Sequence, residues 1–200
     1  MDERILIRIN KDLKIIKKQL RKVDVPNKAI QSIGTRALRS GRRLTGEFRS
    51  NRNSRWLLSY NDPQYGTEIH CKLIFIKLLG RLMQFDRAPI TTDTIKCFGV
   101  YLNFETLPYK DPLTKEVLSY EQFIDETINP KHGHSSFHMG HLNPQLQPKH
   151  LFKNVDWMTK RSNLIQGDMT IKEASDKLLK IGSAIIRERK VERKNEGILA

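Results

Sequence analysis

The feature that most constrains the fold is the segment TEIHCKLIFIKLLGRLMQF at residues 67–85, which is apolar on most of its sides. A helix that is hydrophobic nearly all round lies in a protein core or in a membrane. A transmembrane helix needs a largely uncharged apolar run of about 18 residues or more, and no run in this chain approaches that length. We therefore predict a buried central helix, in which His70 is a core or boundary residue and not a ligand.

A first helix is predicted over residues 3–23, because apolar residues recur there at spacings of four and three: Ile5, Ile9, Leu13, Ile16, Leu20 and Val23. Two partners are open for this stripe, the body of the chain or a second copy in a homodimer. Pro26 breaks the helix, and a second helix is predicted over 28–38. Residues 91–104 are ambiguous, with helix preferred.

Two pairs of residues at capping-box spacing place the starts of later helices. Ser119 and Gln122 predict a short helix that ends near residue 128. Thr170 and Glu173 predict the start of the last long helix. We expect that helix to fray along its polar tail and to turn four apolar residues inward: Ala174, Leu178, Ile181 and Ile185.

The net charge of the chain indicates the class of partner that it binds. Its 200 residues carry a formal net charge of +14, which favours a polyanion through phosphate neutralisation and counterion release. Ribosomal proteins and repressors share this excess, so charge indicates a ligand class and not an activity. The N-terminal sequence MDERILIRINKDLK has no signal-peptide core, which predicts a cytoplasmic protein without a membrane segment. The two cysteines, Cys71 and Cys97, are expected to be buried free thiols, and four-thiolate zinc sites are excluded.

A run of arginines follows the second helix, with a single acidic residue, Glu47, among them. Arginine offers a planar fork that suits phosphate oxygens and guanine edges. We predict contact with nucleic acid, with a solvated basic loop as the alternative. The residues concerned are Arg36, Arg39, Arg42, Arg43, Arg49, Arg52 and Arg55.

Residues 137–167 combine imidazoles and carboxamides with a distinct order of elements. The apolar residues of SFHMGHLNP indicate a short extended segment that Pro144 ends. QLQPKHLF forms a loop, and Val155 and Trp157 alternate with polar residues as in a half-buried strand. TKRSNLIQG returns to helix and ends at Gly167. The predicted order is therefore strand, loop, strand, helix.

That order, with these residues, resembles the HNH branch of the ββα-metal nucleases over residues 108–170. The family has a His at the end of the first strand, an Asn at the start of the second, and a His or Asn nine residues later on the helix. Here these are His141, Asn154 and Asn163, with Trp157 at the usual large apolar position. The lead-in DPLTKEVLSYEQF lacks the CxxC zinc pair of some relatives, so we expect no structural zinc.

Many HNH enzymes have a second metal ligand directly before the base, where this chain has Gly140. The quartet that begins at His138 is instead similar to the Asp-Arg-Gly-His motif of a sister group of non-specific nucleases. The resemblance implies that Asn163 is the main protein ligand of Mg²⁺ or Mn²⁺, with His138 near the metal. Carboxamide and water oxygens suit these hard cations.

The chemistry of phosphodiester hydrolysis suggests roles for the other residues. A neutral imidazole can take a proton from water near neutral pH, so His141 is the expected general base. Asn154 is expected to hydrogen-bond loop backbone and hold His141 in place. His150 is a candidate for phosphate contact, and Lys160 and Arg161 are candidates for gripping the scissile strand.

The sequence thus predicts an α+β fold, an α-rich chain with an embedded ββα-metal (HNH) motif. Residues 1–106 would form a helical, basic DNA-contacting region, and residues 107–200 the nuclease region with a C-terminal helix. The predicted function is a Mg²⁺-dependent endonuclease of double-stranded DNA, of bacterial or phage restriction type. A homing-type nuclease is the near alternative. A non-catalytic nucleic-acid-binding protein, in which the His and Asn residues are only structural, is the alternative of a different class.

Overall fold

The computed structural model describes residues 2–41, 53–105, 107–131 and 135–196, with side chains described as far as residue 190. These ranges contain helices and one two-stranded antiparallel sheet. The elements are α1 (Asp2–Lys22), α2 (Asn27–Leu38), a 3-10 turn (Arg55–Leu57), α3 (Glu68–Leu82), α4 (Thr92–Phe98), α5 (Tyr120–Ile128), β1 (Phe137–His141), β2 (Val155–Thr159), α6 (Lys160–Gln166) and α7 (Ile171–Glu196). The fold is α+β and rich in helix.

The predicted central helix is confirmed as α3. The apolar side chains along it are fully buried, among them Ile74, Ile76, Leu78, Leu79 and Leu82, each 0% exposed. Helices α1 and α2 and strand β2 all pack against α3. The helix starts where the Thr67 hydroxyl accepts a hydrogen bond from the His70 backbone N–H. This helix therefore connects the N-terminal helices with the hairpin that carries the candidate site.

The apolar stripe of α1 packs within the chain. Ile9, Leu13, Ile16 and Leu20 are buried, where α1 contacts α3 and α4. Ile5, which the same pattern turned inward, is 41% exposed. Of the two partners open to the stripe, the body of the chain is the one observed. Helix α2 is confirmed almost residue for residue, and the ambiguous segment 91–104 is helical only over α4.

The β1–β2 hairpin has a buried residue on each of its faces. Val155 and Trp157 belong to the main core, and the Trp157 indole N–H donates to the Leu78 carbonyl of α3 at 2.9 Å. Met158 belongs to a second, smaller cluster with Leu113 and Ala174. Because successive strand side chains point to opposite faces, β2 is covered on both sides. This burial fixes the hairpin relative to α3 and α7.

Both predicted capping sites are confirmed, but the packing expected of the last helix is wrong. The Ser119 hydroxyl accepts from the Gln122 N–H at the start of α5. At the start of α7 the box is reciprocal, because the Thr170 hydroxyl accepts from the Glu173 N–H and the Glu173 carboxylate accepts from the Thr170 N–H. Beyond its first turn α7 exposes the residues expected inside: Leu178 39%, Ile181 48% and Ile185 44%. Of these four residues only Ala174 is buried, and the helix extends to Glu196, through most of the polar tail.

The described helices and thiols bear on the expectations of no membrane segment and of two buried thiols, the second of which holds for Cys71 alone. None of the described helices is both long enough and apolar enough to cross a membrane. Cys71 and Cys97 are both free thiols; Cys71 is buried and Cys97 is half-buried. Burial raises the pKa of the Cys71 thiol to about 12, so this group is a neutral core side chain.

Candidate active site

The predicted strand, loop, strand and helix are all present and contiguous. In the antiparallel register His141 pairs with Val155 and Phe137 with Thr159. Helix α6 begins directly after β2, where the Thr159 hydroxyl accepts from the Ser162 N–H at 3.0 Å. The hairpin register therefore brings His141, at the end of β1, beside the start of β2, and places α6 next to both strands.

Asn154 closes the loop that follows His141. Its carboxamide oxygen accepts from the Asn143 N–H at 2.7 Å, and its amide nitrogen donates to the carbonyls of Asn143 and Lys149, each at 2.8 Å. The side chain is 5% exposed. These are the loop-backbone contacts expected of Asn154. They act on His141 through the chain, because Asn143 is two residues further on.

His141 is half-buried, and the Nε2 atom of its imidazole is fully buried. Its Nε2 atom has no hydrogen-bond partner in the described structure, and its ring lies 5.8 Å from the ring of His150, centroid to centroid. Burial, with the nearby charges of Lys149 and Arg55, lowers its pKa to about 4. At neutral pH the ring is therefore uncharged and able to accept a proton.

His138 and Asn163 form a second group. The Asn163 amide nitrogen lies 3.4 Å from Nδ1 of His138, and both residues are half-buried. Burial lowers the pKa of His138, and the cations of Arg36 and Lys160 lower it further. His138 and His141 are three residues apart on β1, so their side chains point to opposite faces. No hydrogen bond or ring contact among the described residues joins His141 to Asn163. The expected site residues thus form two groups and not one.

The donor set near Asn163 limits which metal could bind. Across the described ranges, no three His, Cys, Asp or Glu side chains form a group that could hold a metal ion. One carboxamide and one imidazole would remain as protein ligands. This set fits a cation that keeps most of its water, as Mg²⁺ does in proteins, and it does not fit a structural zinc.

Packing explains why the residue before His141 is a glycine. A Cβ atom on Gly140 would lie 2.2 Å from Sδ and 2.8 Å from Cγ of Met158. Met158 is itself 0% exposed in the small cluster. A side chain at position 140 would therefore require Met158 to move.

Substituting Gly140→Ala is expected to lower the free energy of unfolding by about 1–3 kcal/mol, because the added methyl overpacks the cluster. Urea denaturation of the variant measures this loss. In a Met158→Ala background the same substitution should cost much less, since the clashing atoms are gone. An equal cost in both backgrounds would show that Met158 is not the obstacle.

Of the residues predicted to contact DNA, Arg55 and His150 are buried and Arg36 is half-buried, and their polar atoms bond to the protein's own backbone. Arg55 is 7% exposed, and its guanidinium donates to the carbonyls of Gln64 and Arg36. Arg36 donates to the Phe137 carbonyl at 2.7 Å and lies over the Trp157 ring. His150 is 0% exposed and lies 2.9 Å from the Ala37 carbonyl. In each of the three residues, donor atoms that could reach a phosphate are already occupied by backbone carbonyls.

The other basic residues have different positions. Arg39 is exposed at the end of α2. Lys160 and Arg161 open α6, the first half-buried and the second exposed, and both line a cavity of about 760 Å³ beside α5 and β1. Arg42, Arg43, Arg49 and Arg52 lie outside the described residues.

Several residues that hold the site together were missed from the sequence. Asp111 is 0% exposed and receives hydrogen bonds from the N–H groups of Leu113, Thr114 and Thr159 and from the Ser162 hydroxyl. It therefore joins the turn after α4 to the β2–α6 junction. A signal was available, because an Asp before Pro in a turn-rich segment commonly bonds backbone two residues on.

Gln166 and Asp156 are the other two. The Gln166 amide donates to the carbonyls of His141 and Met169 at 2.8 and 2.9 Å, which ties the end of β1 to α6. Asp156 on β2 lies 2.9 Å from the ammonium of Lys77 and 3.4 Å from Nε of Arg81. Lys77 lies inside the most apolar helix, and a buried lysine usually has an acidic partner, so the sequence could have predicted such a partner.

The two buried imidazoles predict a loss of stability on mild acidification. Burial, with Arg55 nearby, lowers the pKa of His150 to about 3, and that of His141 lies at about 4. Below pH ~6.5 the unfolded chain binds protons on these rings that the folded chain does not, so the free energy of unfolding falls with pH. We expect up to about 1.4 kcal/mol lost per pH unit and per ring, between pH ~6.5 and ~5.

Urea denaturation at the two ends of this window measures that loss. His150→Gln should show a shallower dependence, because one of the two titrating rings is removed. Equal stability at both pH values would contradict the burial of these imidazoles.

Comparison with known proteins gives a structural likeness of limited extent. No protein-family model matches the chain, and no curated protein matches it. Among solved structures, the chain is similar to one described as the crystal structure of a type II restriction endonuclease, with a TM-score of 0.49 and 18% sequence identity. The match covers 64% of this chain and 55% of that one. The chain thus spans about half the length of that protein.

Proposed function

We propose that the chain is a metal-dependent DNA endonuclease of the HNH type. The observation that carries the proposal is the arrangement of its hairpin and helix. His141 ends β1, Asn154 braces the loop through three hydrogen bonds, and Asn163 lies on the helix that follows β2. If these three residues were only structural parts of a polar loop, neither their types nor their order would be required.

The proposed reaction is hydrolysis of a phosphodiester. His141 accepts a proton from a water molecule, the water oxygen bonds to phosphorus, and the bond from phosphorus to the leaving 3′ oxygen breaks. The leaving oxygen takes a proton from solvent. A pKa of about 4 is low for such a base, but a bound phosphate would raise it, because a nearby negative charge favours the imidazolium.

The metal would be Mg²⁺ or Mn²⁺, held by Asn163 with His138 beside it. When bound, such a cation stabilises the negative charge that gathers on the phosphate. Lys160, whose charge acts on His138, adds positive potential at the same place. Arg161 extends that potential along the surface of α6. These groups suit a phosphate backbone that runs past the start of α6.

We propose a restriction-type, site-specific enzyme of bacterial or phage origin, because residues 1–106, about half of the chain, precede the ββα unit and carry their own basic residues. In this proposal residues 1–106 contact double-stranded DNA through Arg39, Arg42, Arg43, Arg49 and Arg52, and residues 107–200 cleave it. Arg36, Arg55 and His150 are left out of this set because of their buried bonds to backbone.

One observation favours a second candidate, a DNA-binding protein without catalysis. The Nε2 atom of His141 is buried, and no described contact links that ring to Asn163. Incubation of the purified chain with supercoiled plasmid in Mg²⁺, in Mn²⁺ and in a chelator separates the two. The nuclease converts the plasmid to nicked or linear forms only with metal. Sequencing the ends of digested genomic DNA then reads the recognition site, and intact genomic DNA with retained binding would favour the second candidate.

Lys160→Ala with Arg161→Ala is expected to weaken DNA binding at every sequence. If both side chains neutralise phosphates, the slope of log affinity against log salt concentration should decrease by about 2. Fluorescence anisotropy of a labelled duplex over a salt series measures it. The charge-matched control is Lys177→Ala with Lys180→Ala on α7, both exposed, for which a smaller change is expected. Equal slopes in the two double variants would remove α6 from the DNA-binding surface.

A further inference from the structure

In the buried imidazole of His150, one ring nitrogen makes a hydrogen bond and the other has no hydrogen-bond partner. Its Nε2 atom lies 2.9 Å from the Ala37 carbonyl oxygen. A carbonyl only accepts hydrogen bonds, so Nε2 must carry the ring proton. In the neutral ring Nδ1 is then an acceptor, and it is buried without a hydrogen-bond partner.

The neighbouring ring presents a matching atom. Nε2 of His141 is also buried without a partner. The two rings are 5.8 Å apart between centroids and are inclined at 63°. Leaving two polar atoms unpaired in the interior is costly, whereas a donor facing an acceptor is not. A small closure between the ring edges, or one bridging water, would pair them.

The surroundings hold the His150 ring in this place. A Cβ atom on Gly66 would lie 3.0 Å from Cδ2 and 3.1 Å from Cβ of His150, so backbone packs directly against the ring. The guanidinium of Arg55, which binds the carbonyls of Arg36 and Gln64, disfavours a positive charge on His150. His150 is therefore a neutral, rigid ring whose acceptor nitrogen has one orientation.

We propose that His150 is a positioning residue for His141. His141 carries its proton on Nε2 and donates it, directly or through one water, to Nδ1 of His150, which in turn donates from Nε2 to the Ala37 carbonyl. The chain of hydrogen bonds fixes the tautomer and the ring plane of His141 and leaves its Nδ1 as the atom that accepts a proton. The use of that atom in hydrolysis rests on the proposed function, but the pairing does not.

Nuclear magnetic resonance of protein labelled with ¹⁵N in its imidazoles tests the pairing without any assay of cleavage. Signals are assigned with single His variants. We expect both rings to be neutral near pH 7, each with a protonated Nε2 and an unprotonated Nδ1. A protonated Nδ1 on either ring would overturn the proposal.

Two substitutions of His150 provide matched tests. His150→Gln can still reach the Ala37 carbonyl with an amide donor, but it has no acceptor at the position of Nδ1. His150→Asn places a carboxamide oxygen near that position and loses the bond to Ala37. We expect the Gln variant to lose the fixed tautomer of His141 and to cleave DNA roughly 10- to 100-fold more slowly, while the Asn variant keeps the tautomer.

An unchanged His141 tautomer in folded His150→Gln would overturn the proposal, as would loss of the tautomer in the Asn variant alone. The result is separable from the proposed function. If the wild-type chain shows the expected tautomers but cleaves no DNA, the pairing stands and the role of His141 as a base fails. If it cleaves DNA and the tautomers are absent, the pairing alone fails.

Discussion

His141→Ala is expected to lower the rate of plasmid nicking by about 10²–10⁴-fold, the usual contribution of a general base, while DNA affinity is retained. Affinity should persist because the proposed phosphate contacts lie elsewhere, at the start of α6 and in the N-terminal region. The measurements are initial nicking rates in Mg²⁺ and anisotropy titrations of the same duplex. Persistent cleavage by a folded His141→Ala chain would remove His141 as the base.

His70→Ala is the matched control for this substitution. His70 is also a half-buried imidazole whose pKa is lowered by burial, and its Nδ1 accepts from the Phe152 N–H. It lies on α3, outside the ββα unit. We expect its nicking rate to stay within a few-fold of wild type. An equal loss in both variants would indicate a general effect of removing a buried ring and not a role for His141.

Local periodicity and capping predicted most of the elements. The stripe of α1, the apolar segment of α3 and the caps at Ser119 and Thr170 each depend on residues within one or two turns, and all four are present in the fold. The order strand, loop, strand, helix also followed from local patterns. Such features are predictable because the physical interactions that produce them connect neighbours in the sequence.

The interior positions of Arg55 and His150 were not predictable in the same way. Their burial depends on carbonyl acceptors supplied by other elements, Arg36 and Gln64 for the guanidinium and Ala37 for the imidazole. A basic residue next to a loop has the same local pattern whether it faces phosphate or a distant carbonyl. The exposure of Leu178 on α7 was unpredictable for the same reason. A periodic apolar stripe gives the side of a helix that can be buried, but not whether the rest of the protein extends far enough to cover it.

The placement of His138 and His141 on opposite faces of β1 could have been predicted from the sequence. Two residues three apart on a strand lie on opposite faces, so once β1 was predicted, a single group of all the expected site residues was already improbable on geometry. The contact of His138 with Asn163 and that of His141 with His150 follow this alternation. The nine-residue interval from Asn154 to Asn163 supports the resemblance, but the spacing alone does not place Asn163 beside His141.

Asp156→Ala is expected to lower the free energy of unfolding by about 3–5 kcal/mol, because removing one partner of a buried ion pair leaves an uncompensated charge. The Asp156 carboxylate is 2.9 Å from the Lys77 ammonium, and both side chains are less than a tenth exposed. Arg81 approaches at 3.4 Å, but its Nε makes no hydrogen bond, so Lys77 is the principal partner. Urea denaturation near neutral pH measures the loss.

The double variant Lys77→Met with Asp156→Leu distinguishes this cause from simple loss of packing. It removes both charges and retains volume, so it should be more stable than Asp156→Ala. Lys77 also donates to the Val155 carbonyl at 2.7 Å, and that carbonyl loses its donor in the double variant, which should leave a residual cost of about 1–3 kcal/mol. A double variant as unstable as Asp156→Ala would show that the site needs its hydrogen bonds more than charge balance.

Asp156 also pairs with Gly140, the residue beside His141. Nicking rates of the two variants, compared at equal folded fraction, would therefore report whether this ion pair also sets the geometry of the hairpin.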